Sequence, residues 1–228
     1  TSRIFPETLR LLQQCGEVIA NDLVEPWSRE CLLEKAAAAS AMMAFMHDTV
    51  DAAFLDACPR LRIVACALKG YDNFDVAACT DRGVWLAIVP DLLTKSTAEL
   101  AVGLMITLSR HIVLGDYLVR AGQFRGWRPI LYGRSIDESV VGVLGGGAIG
   151  KAVAQRLSGF DCEVLIHDPV AGGPLPPNSR WSSAEEVAAK ADFVVLALPL
   201  QGSTAHMVDG RFISTLKRGA VIVNVARG

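Results

Sequence analysis

The residues best able to do chemistry lie in three short strings. In the first, an apolar run from Val140 to Leu144 feeds Gly145-Gly146-Gly147-Ala148-Ile149-Gly150, and a second run, Glu163 to His167, delivers Asp168 18 residues after the last glycine. A strand, a Gly-x-Gly-x-x-Gly turn, a helix, a strand and an acid in that order form a dinucleotide-binding pattern. Gly145 allows the tight turn, Gly147 lets backbone approach a pyrophosphate, and Gly150 lets helix and strand pack closely. The phosphates then lie against amides at a helix N-terminus. Asp168 can accept hydrogen bonds from both ribose hydroxyls and would repel a ribose 2′-phosphate, so NAD is expected rather than NADP. The next arginine is Arg180, beyond a Gly/Pro-rich loop.

The second and third strings follow other strand-like runs. Lys69-Gly70 follows Leu61 to Ala67, and Arg227 follows Ala220 to Val225. Ligands of open parallel sheets bind beyond the carboxyl ends of the strands, which is where both strings fall. The planar fork of Arg227 can grip a carboxylate or a phosphorus oxyanion through two parallel hydrogen bonds. Gly70 lets backbone amides face an anion, and Lys69 adds a point charge. By position alone, Arg227 is equally a surface arginine. Lys69-Gly70 is equally a plain turn before a helix capped at Asn73.

Helical and strand-like segments alternate along the whole chain. Ser28 caps a helix expected over 29–39, and strands are expected over 41–46, 61–67 and 84–89, with helices near 50–58 and 74–81 between them. Pro90 and Asp91 interrupt the rhythm. Ser96-Thr97-Ala98-Glu99 then reads as a capping box opening a long helix, with apolar positions at Leu100, Leu104 and Leu108. An aromatic, glycine-rich stretch from Leu118 to Asp137 separates it from the nucleotide-binding strand. Further on come a helix after Ser182 or Ser183, a strand over 193–198 and a last strand before Ala226. This alternation implies parallel βαβ units. The fold class is therefore α/β, with two Rossmann-like or flavodoxin-like parallel-sheet domains. Residues 1–92 form a flavodoxin-like substrate domain and residues 93–228 an NAD-binding Rossmann domain incomplete at its C-terminus. Both ends of the chain look cut.

Composition sets the remaining bounds. The chain is 51% hydrophobic and carries 22 Lys and Arg against 24 Asp and Glu, a net charge of −2, so neither nucleic acid nor an anionic membrane is expected as a partner. Apolar runs are strand-sized, which argues against a transmembrane span or secretory signal and for a cytoplasmic protein. Six scattered cysteines without a Cys-x-x-Cys pair read as reduced buried thiols, with no metal site expected.

Asp91 to Glu99, the glycine turn, Ala197-Leu198-Pro199-Leu200 and Asn224-Val225-Ala226-Arg227-Gly228 resemble the D-isomer-specific 2-hydroxyacid dehydrogenases. Within that family, Ala41 to Met46, Ala67-Leu68-Lys69-Gly70-Tyr71-Asp72-Asn73-Phe74-Asp75, Gly83 to Leu86 and Val89 to Thr94 resemble the phosphite (phosphonate) dehydrogenases. The resemblance implies NAD-dependent oxidation of phosphite, with hydride passing from phosphorus to the nicotinamide. It makes Lys69 and Arg227 catalytic, and Lys69, Gly70, Arg227, Met46, Trp127 and Tyr132 substrate-binding. Thr97, Ala148, Ile149, Asp168 and Pro199 join the three glycines around the cofactor. It further implies a homodimer formed through the cofactor domain, to which the helix from Ala98 to Val113 could contribute.

The family's acid/base histidine and its orienting glutamate lie C-terminal to the arginine motif. His47, His111, His167 and His206 are not expected to replace that histidine, so residues 1–228 alone should bind cofactor poorly and turn over little. Two other readings stay open. One is an NAD-dependent dehydrogenase or reductase of a small D-2-hydroxy or 2-oxo acid, with Lys69 structural. The other is a non-catalytic NAD(H)-sensing protein.

Overall fold

Apolar runs without the alternation of a half-exposed sheet need strands covered on both faces. The computed structural model, which describes residues 1–227, builds them into two compact units, Thr1–Leu92 and the chain from Leu93 onward.

In the first unit, β1 (Ala41–Ala44), β2 (Ile63–Cys66) and β3 (Trp85–Ala87) form a parallel sheet in that order. Around it run α1 (Pro6–Gln13), α2 (Arg29–Ala36), α3 (Ala52–Ala57) and α4 (Val76–Asp81). Ala44, Val50, Phe54 and Val64 are fully buried between the layers. Each helix after α1 starts on a side-chain cap. Ser28 Oγ accepts from Cys31 N at 3.3 Å, Asp51 from Phe54 N at 2.8 Å, and Asp75 from Ala78 N at 2.8 Å. The cap of α4 is thus Asp75 and not Asn73, whose side chain is engaged elsewhere. Strands are shorter than their apolar runs. β1 stops at Ala44 because the next amide, of Phe45, bonds the Asp48 carboxylate at 2.8 Å and turns the chain.

The second unit begins with α5 (Thr94–Ser109) and α6 (Ile112–Arg120), then β4 (Val140–Leu144), α7 (Ala148–Leu157), β5 (Glu163–His167), β6 (Ser179–Trp181), α8 (Ala184–Lys190), β7 (Phe193–Leu196), α9 (Gly210–Thr215) and β8 (Val221–Asn224). All five strands are parallel, in the order β6-β5-β4-β7-β8. Val141, Val143, Val164, Ile166, Phe193 and Val195 pack with residues of α5 and α7. Leu144, Leu165 and Val194 pack with Val187, Ala191, Phe212 and Leu216. Gly142 stands among these because the Val187 side chain already fills the space a Cβ would need.

Three expectations for α5 fail. The capping box is absent: the helix already starts at Thr94, no side chain caps it, and Ser96 Oγ donates back to Leu93 O at 3.2 Å. Glu99 instead pairs with Arg156 at 2.8 Å. The buried face is also shifted, with only Leu104 of the expected stripe packed against the core. Ala98, Ala101, Val102 and Met105 are buried, whereas Leu100 and Leu108 are exposed. Small residues let α5 approach α7 closely, and that requirement outweighs the larger side chains. Nor does the helix run on to Val113. His111 adopts a left-handed φ of 53° and separates α5 from α6. No single helix among the described residues is long and apolar enough to cross a membrane.

Candidate functional site

The order of the second sheet reverses between β4 and β7, and open parallel sheets bind ligands in the crevice beyond the strands' carboxyl ends at such a point. The glycine turn stands at that point. Gly145 has φ 108°, and a Cβ there would strike the Ala197 carbonyl on the β7 side of the crevice. A Cβ on Gly150 would collide with the Gly145 carbonyl, so the turn closes only on hydrogen. Gly147 differs: nothing lies within 4 Å of its Cβ position. It is the N-cap of α7, no side chain caps that helix, and Gly147 and Ala148 are exposed. The amides of Ala148 and Ile149, in the first turn of this ten-residue helix, have neither an intrahelical acceptor nor a side-chain cap, which fits a pyrophosphate.

Asp168 follows β5 and is half-buried. Its Oδ2 accepts from Gly146 N at 2.8 Å and its Oδ1 from Val170 N at 2.9 Å. Each oxygen keeps a second lone pair, so the carboxylate is oriented by the backbone and can still receive ribose hydroxyls. Arg180 is not available to a phosphate. It bonds Glu163 at 3.0 Å and Glu186 at 2.7 Å, and that guanidinium, with Lys190 and Ser182, holds the Glu186 carboxyl far below the usual carboxylate range. Pro199 lies in the exposed turn after β7, where its carbonyl accepts from Thr204 Oγ1 at 2.6 Å. Thr97 sits half-buried in the first turn of α5; in the same turn, the buried Thr94 Oγ1 has no hydrogen-bond partner among the described residues.

After β8, Asn224 Oδ1 accepts from Ala226 N at 2.9 Å and its Nδ2 donates to Arg227 O at 3.5 Å, a turn that sets the backbone of the half-buried Arg227. Trp127 is 86% and Tyr132 76% exposed, in the irregular stretch after α6, so neither is core. Tyr132 borders a cavity of about 330 Å³ with Phe193 and Val221, the first residues of β7 and β8. Within its own unit it therefore stands at the strands' amino ends, away from the glycine turn, and does not line that crevice.

In the first unit, Lys69 and Gly70 leave the carboxyl end of β2. Lys69 is exposed and makes no ion pair among the described residues. The loop is held from three sides. Cys66 Sγ donates to Gly70 O at 3.4 Å, Val89 N donates to Leu68 O at 3.1 Å, and Asn73 Nδ2 donates to the carbonyls of Phe45 and Asp48 in the loop after β1. Met46, in that same β1 loop, is 55% exposed and so is not core either. Cys66 and Asn73 were invisible as loop anchors in the sequence because both bonds depend on where the chain returns.

Comparison with known proteins adds a family likeness. Residues 102–228 match the model of the D-isomer specific 2-hydroxyacid dehydrogenase, NAD binding domain. A glyoxylate reductase of Pyrococcus horikoshii is 34% identical over 218 residues, covering 90% of this chain and 65% of that protein. The chain thus spans just under two thirds of that relative's length. Among solved structures, the TT0316 protein of Thermus thermophilus superposes with a TM-score of 0.91 at 32% identity, covering 100% of this chain and 73% of that one. A D-lactate dehydrogenase of Aquifex aeolicus, complexed with NAD and lactic acid, gives 0.79 at 26% identity, with 86% of this chain and 59% of that one covered.

Proposed function

The chain belongs to the D-isomer specific 2-hydroxyacid dehydrogenase family, and from that premise we propose that the whole protein is an NAD-dependent oxidoreductase interconverting a small 2-oxo acid and its D-2-hydroxy acid. The likeness to glyoxylate reductase across 90% of the chain carries this reading, and the NAD-binding domain it requires is present. NAD, when bound, supplies the hydride acceptor or donor. In the reductive direction hydride reaches the carbonyl carbon and a proton reaches its oxygen; the resemblance puts the proton donor C-terminal to Arg227. Arg227 grips the substrate carboxylate through its fork. The Gly70 amide supplies further positive potential for the anion and for charge growing on oxygen, with Lys69 structural in this reading. Asp168 holds the adenosine ribose.

A second reading, phosphite oxidation, is favoured by one observation: Lys69 is an exposed cation with no ion-pair partner among the described residues, more charge than a monocarboxylate needs. That reaction balances as phosphite, water and NAD giving phosphate, NADH and a proton. Exposed Leu100, Leu108, Ile112, Val113 and Tyr117 on α5 and α6 support a homodimer formed through this unit, which sedimentation of the full-length protein tests.

The deciding experiment offers the full-length protein NADH with glyoxylate or pyruvate, and NAD with D-lactate, D-glycerate or phosphite, and follows nicotinamide absorbance. Turnover with the organic acids supports the first reading, and turnover with phosphite alone supports the second. Silence with all of them, with NADH binding confirmed, overturns both and leaves a non-catalytic NAD(H) sensor.

A further inference from the structure

We propose that the buried carboxylate of Asp48 is a positioning residue of the substrate site. It folds the loop after β1 so that Asn73 can clamp it, and through that clamp it sets the places of Met46 and of the Gly70 amide. This role rests on the oxidoreductase reading above, in which the Gly70 amide meets the substrate anion and Met46 lines its site.

The Asp48 side chain is only 1% exposed, and nothing in the proposed chemistry uses it. A carboxylate withdrawn from water is costly unless hydrogen bonds meet it, so its partners show what it shapes. Oδ2 accepts from Phe45 N at 2.8 Å, and Asp48 N donates back to Phe45 O at 3.1 Å. The two residues are thus bonded in both directions, and Met46 and His47 form the tip of the turn they close. Oδ1 lies 3.4 Å from His47 Nε2 and 3.5 Å from Thr1 N. The His47 ring lies parallel to that of Phe45, with 6.3 Å between centroids. Removing the carboxylate frees the Phe45 amide and with it the turn that carries Met46.

That turn presents two carbonyls to one donor. Asn73 Nδ2 donates to Phe45 O at 3.2 Å and also to Asp48 O. Its Oδ1 is buried without a hydrogen-bond partner among the described residues, so the amide serves as a donor alone. Reversing it would set an oxygen against two carbonyl oxygens. Backbone continues the seam: Val50 N donates to Asn73 O at 3.2 Å, and Asp75 N to Val50 O at 2.8 Å. Between Asn73 and Gly70 the chain is short and closed, with Phe74 N donating to Tyr71 O at 3.0 Å and Gly70 O accepting from Cys66 Sγ at 3.4 Å. The order of cause is therefore the Asp48 carboxylate, the turn it closes, the Asn73 amide and Gly70. These bonds tie the loops after the neighbouring strands β1 and β2 at the carboxyl edge of their sheet, where parallel sheets take ligands.

The test uses the full-length protein and two readouts. The first, amide hydrogen exchange without ligand, is followed in segments 45–50 and 67–75. Asp48→Ala should speed exchange about 10-fold in both, and Asp48→Asn, which keeps an acceptor for the Phe45 amide, less than about 3-fold. Asn73→Ala should speed it in 45–50 as well, which reads the clamp from its far side even if Asp48→Ala does not fold. The second readout is steady-state turnover of NADH and glyoxylate. Asp48→Ala and Asn73→Ala should each raise KM about 10-fold with kcat within about 3-fold. NADH affinity by calorimetry should stay within about 2-fold, and the double variant should be no worse in KM than the poorer single one. The proposal is overturned if exchange quickens only in 45–50, if kcat falls while KM stays, as a merely structural loss would give, or if the two substitutions add in KM. A wild type that binds NADH but turns over none of the organic acids refutes the oxidoreductase reading instead, and exchange in 67–75 then decides the clamp alone.

Discussion

The nucleotide turn of the second unit and the Lys69-Gly70 loop of the first both leave the carboxyl end of a parallel strand, yet they are built from opposite materials. The turn is held by what is missing. Cβ atoms at Gly145 and Gly150 would meet backbone carbonyls, and one at Gly147 would meet nothing. The loop is held by what is added: a thiol on Gly70 O and an amide on the carbonyls of Phe45 and Asp48. Shape made by absent side chains resists substitution at the glycines themselves. Shape made by side-chain bonds depends on residues 25 and 28 positions apart.

The strongest way to break this contrast is a pair of alanines in the turn. Gly150→Ala forces a Cβ into the Gly145 carbonyl and should cost about 2–4 kcal/mol of stability, with NADH binding lost. Gly147→Ala meets nothing and should change stability by less than about 1 kcal/mol while still weakening NADH about 10-fold. Thermal unfolding and calorimetry of the full-length protein separate the two; equal stability losses would show that the turn is not sterically closed.

Asn73→Ala probes the other region. Two carbonyls lose their donor, at about 1–3 kcal/mol, and NADH affinity should stay within about 2-fold, since the cofactor unit has its own core. A loss of NADH affinity matching the loss of stability would mean that the two regions are coupled. Asp168→Ala sharpens the contrast inside the turn. It removes the acceptor of the Gly146 amide and should shrink the NADH over NADPH preference about 10-fold; an unchanged ratio would remove Asp168 from the ribose.

The smallest effect concerns acid. The Phe54 amide and then Arg29 hold the Asp51 carboxyl below its usual range. Its contribution is present above the unfolded value near 3.8 and is lost as pH falls through the lowered folded value. Asp51→Asn keeps a capping oxygen, costs less than about 1 kcal/mol at neutral pH, and flattens the acid side of the stability profile. A profile as steep as that of wild type would mean that other carboxylates set it.

Legibility in the sequence follows the same division. The glycine turn, Asp168, the cap at Ser28 and the alternation of strands and helices were readable because each rests on contacts within a few residues or on a repeating apolar run. The capping box at Ser96 misled, since the same letters sit inside a first turn that begins two residues earlier. The Leu100, Leu104, Leu108 stripe misled in part: Leu104 packs against the core, but Leu100 and Leu108 are exposed, and Ala98, Ala101, Val102 and Met105 take the buried face. β6, only three residues long, carries too short a pattern to register.

By itself, then, the order of residues determined a parallel α/β chain with a dinucleotide turn and an acid for the ribose, because backbone sterics and short-range spacing decide those. Tertiary structure alone decided which residues of α5 are buried, that Arg180 is consumed by two glutamates, and that Lys151 rests over the Trp181 ring. Each of these depends on distant segments meeting, and such meetings are set by the packing of both sheet faces, which no local pattern encodes.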